Sequence, residues 1–116
     1  MRLFSEEQIN DLLVTALEGG SNYWYMIEDQ SDPDIHPADL ISKEDSEGWI
    51  KFSCTEDEVV NGQKEWIIKH NDLRRAEKIM YKNYPHHFGD VLKEQSDAIT
   101  ADVFLQCALF GEVVFG

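Results

Sequence analysis

The sequence predicts an α+β fold in which a small antiparallel sheet of about three strands packs against three or four helices. Three observations carry this expectation. A capped amphipathic stretch opens the chain, an Asn-Gly pair sits between β-type runs in its middle, and a strongly apolar run lies near its end. At 116 residues the chain has the size of one domain, 1–116, and a domain this size buries about two-thirds of its unfolded surface.

The first element is the clearest. Ser5 begins Ser-Glu-Glu-Gln, a capping box in which Ser5 accepts from the Gln8 amide and the Gln8 side chain reaches back. Glu6 and Glu7 suit the positive end of a helix dipole, and Ile9, Leu12, Leu13, Ala16 and Leu17 recur at helical spacing. A helix is predicted over about 6–18, with Gly19-Gly20 supplying a left-handed exit. Asn22 to Ile27, aromatic and β-branched, then favours a strand over a second helix continuing past the glycines. Alternation along it puts Tyr23 and Tyr25 on one side and Trp24 and Met26 on the other. Residues 28–48 are acidic and carry Pro33 and Pro37, so they are predicted to form a long surface loop.

Trp49 to Cys54 alternates as a half-buried strand does. Val59-Val60, Asn61-Gly62 and Gln63 to Lys69 make a hairpin signal, because Asn-Gly tolerates the positive φ angles of a type I′ turn. Asn71 or Asp72 caps a predicted helix with Leu73, Ala76, Ile79, Met80 and Tyr84 inside. Pro85 ends that helix or starts the next. Asp97 to Thr100 is a further start, with Thr100 as the cap of an apolar helix from Ala101 to Phe110 that Gly111 closes. The tail from Glu112 to Gly116 is apolar enough to dock on the body.

Composition excludes several classes. Hydrophobic residues make up 42% of the chain and aromatics 11%, which sets most of it apart from disordered sequences. No run approaches the roughly 20 apolar residues of a membrane-spanning helix. The opening MRLFSEEQ lacks a signal peptide's apolar core, so a cytoplasmic location is expected. Cys54 and Cys107 have no CxxC spacing and no adjacent histidine, and they read as two buried reduced thiols.

The formal charge of −13 is unevenly placed. Residues 28–58 hold eleven acids against two bases, whereas 64–93 hold seven bases against four acids. A negative field of this kind opposes nucleic acid and anionic membranes, and it attracts basic proteins. The candidate protein-binding surface is therefore Asp29, Asp32, Asp34, Asp39, Glu44, Asp45 and Glu47, with Tyr23 and Tyr25 as aromatic neighbours.

Chemical motifs are weak. His86, His87 and Asp90 are spaced to share a helix face, but no HExxH or second histidine pair completes a zinc site. The acidic run does not follow the order of an EF-hand. There is no GxSxG, P-loop or GxGxxG, so no catalytic residue and no cofactor is expected. Arg74, Arg75, Lys78 and Lys82 form a basic stripe that suits phosphates, although the overall charge weighs against that use.

Two segments, Ala16-Leu-Glu-Gly-Gly-Ser-Asn-Tyr-Trp24 and Ala101-Asp-Val-Phe-Leu-Gln-Cys-Ala-Leu-Phe-Gly-Glu-Val-Val-Phe-Gly116, resemble the ends of small uncharacterised proteins encoded by bacteriophages and prophages. The resemblance implies a phage origin and the cytoplasm of a bacterial host, and it transfers no catalytic residue. The function expected is a non-enzymatic, acidic protein-binding module. The alternatives are an accessory protein that self-assembles, as a homodimer, through the apolar C-terminal helix and tail, and a metal-dependent enzyme built on His86, His87 and Asp90.

Overall fold

The reciprocal cap forms as its residues require. The Gln8 N–H donates to Ser5 Oγ (3.0 Å), the Ser5 N–H donates to Gln8 Oε1 (2.9 Å), and α1 (Glu6–Thr15) follows. The structure, a computed structural model, describes residues 3–20, 24–55 and 58–116. A π-helical turn, Ala16–Gly20, continues α1. Gly19 leaves helical geometry there with φ 161° and ψ −27°, so it does not supply the left-handed exit expected of it.

Three strands, β1 (Tyr25–Gln30), β2 (Ile50–Cys54) and β3 (Glu65–Ile68), pair antiparallel in that order. Ile27 lies opposite Phe52, and Phe52 opposite Trp66, so one row of large apolar side chains crosses the inner face. Ile50, Cys54 and Ile68 complete it, while Met26, Lys51, Glu65 and Ile67 point outward. The β1–β2 register shifts between Ile27 and Asp29, a bulge that leaves Glu28 without a partner residue opposite it. The strand starts later than the aromatic run suggests. Trp24 belongs to the turn before it, and Tyr23 lies outside the described residues.

Asn61 and Gly62 take φ angles of 52° and 79°, and Val60 and Gln63 exchange both backbone hydrogen bonds across them. The tight turn thus forms as its chemistry dictates. It closes a single bridge inside the β2–β3 connection, however, and not a full hairpin.

The acidic segment is not one continuous loop. It begins within β1 and contains α2 (Pro37–Ile41), whose Ala38, Leu40 and Ile41 are buried. Pro37 occupies the first turn, where a missing N–H costs nothing. The apolar face of Ala-Asp-Leu-Ile outweighs the surrounding charge, and α2 makes five α-helices among the described residues.

The chain continues with α3 (His70–Asn83), α4 (Pro85–Leu92) and α5 (Ala98–Phe110). Asp72 accepts from the Lys69 N–H (2.8 Å), so it serves the first turn of α3 from inside and does not precede it. Leu73, Ala76 and Met80 face the core. Asp97, and not Thr100, caps α5, because the Thr100 N–H donates to Asp97 Oδ1 (2.9 Å). That bond holds the Asp97 carboxyl below its usual pKa. Gly111 closes α5 at φ 78°, a left-handed position that strains residues carrying a Cβ.

Every residue of α5 from Thr100 to Phe110 is buried. It runs through the centre of the molecule and packs on α1, α3, α4 and β3. Phe104 and Leu105 are fully enclosed, each contributing about 1.5–3 kcal/mol by leaving water. Arg75 Nη2 donates to the Ala108 carbonyl (3.0 Å), placing a cation at the negative end of the α5 dipole. The tail docks on its own chain. Phe115 stacks on Trp24 at 5.5 Å, and the Val113 N–H donates to the Tyr84 hydroxyl (2.9 Å).

Cys54 and Cys107 are free and buried. Burial pushes the Cys107 thiol up to about 12 and, together with Glu58, raises that of Cys54. A raised folded-state pKa gives stability that is whole below the unfolded value near 9 and is lost as pH rises through the folded one. Denaturant titrations above pH 9 should therefore show stability falling by up to about 1.4 kcal/mol per pH unit for this thiol. Cys107→Ala should flatten the profile; an unchanged slope would assign the loss to other groups.

Candidate functional site

The helix dipole favours the acids Glu6 and Glu7 in the first turn of α1, and the fold sets α1 beside α2. Asn10 Nδ2 donates to Asp39 Oδ1 (2.8 Å) and to Ser42 Oγ (3.2 Å), while Glu6 Oε2 accepts from the Glu44 N–H (2.6 Å). These bonds join residues about thirty positions apart. They frame an open concavity of about 550 Å³ lined by Glu6, Glu7, Asn10, Asp39, Ser42 and Lys43. Its rim is carboxylate-rich, and Lys43 is its one basic lining residue.

The sequence-predicted acids divide into two groups. Asp39 lines the concavity, Glu44 is bonded to its rim, and Asp45 and Glu47 follow in the exposed chain beyond. Asp29 sits at the end of β1, and Asp32 and Asp34 lie in the turn after it, where the Asp34 N–H donates to Asp32 Oδ1 (3.0 Å). Gln30 Nε2 ties that turn down through the carbonyls of Asp32 and Ile35 (2.7 Å each). Among the described residues, Asp29, Asp32, Asp34, Asp39, Asp45 and Glu47 make no ion pair with lysine or arginine.

Tyr25 lies apart from this surface. Its ring packs edge-on against Phe52 and Trp24, and its hydroxyl donates to the Leu17 carbonyl (2.9 Å). Burial raises its pKa. Glu6 and Glu7, in contrast, belong to the acidic surface although sequence separates them from it. Their only signal was the helix-dipole position, which says nothing of the neighbour they meet.

The other motifs scatter. His86 Nε2 lies 3.5 Å from Asp90 Oδ2, but His87 turns toward α5 and bonds Thr100 Oγ1 (2.9 Å). Among the described residues no group of three or more His, Cys, Asp or Glu side chains is placed to hold a metal ion. The basic stripe is broken as well. Arg74 turns inward, where Nη1 donates to the Phe4 carbonyl (2.7 Å) and pairs with Glu77 (3.3 Å). Arg75 stays exposed but pairs with Asp72 (3.2 Å), which leaves Lys78 and Lys82 as the exposed members without a carboxylate partner among the described residues. No helix among the described residues is long and apolar enough to cross a membrane.

Comparison with protein-family models, with curated proteins and with solved structures found no match.

Proposed function

We propose that this chain is a non-enzymatic, phage-type binding module that presents its acidic face to a basic protein in the cytoplasm of a bacterial host. The phage origin rests on the resemblance of the two terminal segments. One observation carries the binding reading: α1 and α2 bring Glu6, Glu7 and Asp39 around one concavity, with Asp45 and Glu47 exposed beyond it and free of internal cations among the described residues. A protein gains little stability from such like-charged crowding, whereas a cationic partner turns it into steering and register.

Capture of a basic partner from host lysate should fall steeply between about 0.05 M and 0.5 M salt, because screening shortens the Debye length several-fold. The Asp45→Lys/Glu47→Lys variant changes only exposed side chains and should lose most capture at low salt. Capture indifferent to both salt and charge reversal would overturn the proposal. Retention on single-stranded DNA at low salt is not expected.

A further inference from the structure

Along α3, an open groove of about 360 Å³ that shares no lining residue with the acidic concavity has apolar Leu3, Ile79 and Tyr81 and basic Arg75, Lys78 and Lys82 in its lining. Arg75 is already engaged by Asp72 and the Ala108 carbonyl. Lys78 and Lys82 have no carboxylate partner among the described residues, in a chain of 23 acids and 10 bases. They stand four residues apart on one helix, an arrangement that is mildly repulsive. Tyr81 is 57% exposed, yet its ring is held edge-on against Phe88 at 5.2 Å. An aromatic side chain fixed by the core and open to water loses little entropy when a partner covers it.

We propose that this groove receives an acidic segment of a partner protein, anchored by one large apolar side chain. Charge complementarity selects the occupant. The two lysines are spaced by about 6 Å of helix rise, which matches carboxylates one helical turn apart on a docking helix. The apolar floor takes the side chain between them. A polynucleotide would satisfy the lysines and leave the apolar floor uncovered, whereas a segment with a large apolar side chain meets both. This surface is opposite in polarity to the carboxylate face, and the inference does not rest on that face's function.

The test is fluorescence polarisation on the full chain with a labelled helical peptide of roughly four turns, carrying glutamates one turn apart and a leucine between them. Saturable binding at low salt is expected, with amide shifts centred on Leu3, Ile79 and Tyr81. Lys78→Glu/Lys82→Glu, two changes confined to the rim, should weaken it roughly tenfold or more. Asp45→Lys/Glu47→Lys should leave it in place. Equal binding by the rim variant would overturn the inference. So would preference for decanoate or a single-stranded oligonucleotide over the peptide, or sedimentation showing a second copy of the chain on this face.

Discussion

Glu77→Ala is expected to cost about 3–5 kcal/mol, the range for removing one partner of a buried ion pair. Glu77 is fully buried. Its Oε2 accepts from the backbone N–H groups of Leu3 (2.9 Å) and Phe4 and pairs with Arg74 (3.3 Å). Arg74 in turn donates to the Phe4 carbonyl and, through Nε, to His70 Nε2 (3.3 Å). Because arginine only donates and the Ile41 carbonyl only accepts, His70 carries its hydrogen on Nδ1, which reaches Ile41 at 2.9 Å. Removing the carboxylate unpairs the two backbone amides and takes the counter-charge from the largely buried Arg74 guanidinium. With total stability for a domain of this kind about 5–15 kcal/mol, thermal unfolding should drop by roughly 10 °C or more. The double variant Arg74→Met/Glu77→Leu should be less destabilised than Glu77→Ala, since it removes both charges together. Equal losses in the two would show that the charge pair is not the source of the cost.

Gln106→Leu should lose about 2–4 kcal/mol, despite conserving volume, through the polar groups it leaves unpaired. The fully buried amide makes four bonds. Its Oε1 accepts from Val114 N–H (2.7 Å) and Phe115 N–H (2.8 Å), and its Nε2 donates to Asp102 Oδ2 and to the Phe115 carbonyl (2.8 Å each). Asp102 also accepts from Trp24 Nε1 (2.6 Å), so the tail, α5 and the turn before β1 form one network. Without the amide, Phe115 should leave the Trp24 ring. The expected readout is a red shift of tryptophan emission in the folded variant. An unshifted spectrum with native stability would mean that apolar packing alone holds the tail.

The local grammar of the chain was legible. Ser5 and Gln8, the Asn61-Gly62 turn, Pro85 and Gly111 each act through a few bonds inside their own segment, so spacing alone locates them. What escaped were decisions made between distant segments. Pro37–Ile41 reads as loop because five residues give too short a period to stand out from surrounding acids, although their apolar face buries against α1. Glu77 and Gln106 look like ordinary solvated helix residues until the backbone they serve is known. The acidic site was half legible for the same reason. The acids of residues 28–48 declared themselves by density, whereas Glu6 and Glu7 joined them only through tertiary pairing. Arg74 left the basic stripe because Glu77 and the Phe4 carbonyl offered it a better place inside.

The central position of α5 bears on how the molecule is made. Synthesis delivers β1, β2, β3 and the earlier helices before residues 98–110, and α1, α3, α4 and β3 all pack on that helix. Until it emerges from the ribosome, Trp66 lacks the Phe110 ring it packs against, and α1, α3 and α4 lack the helix they share. Cooperative folding is therefore expected to wait for α5, and a chain stalled between residues 70 and 97 should be cleaved by protease faster than the full chain.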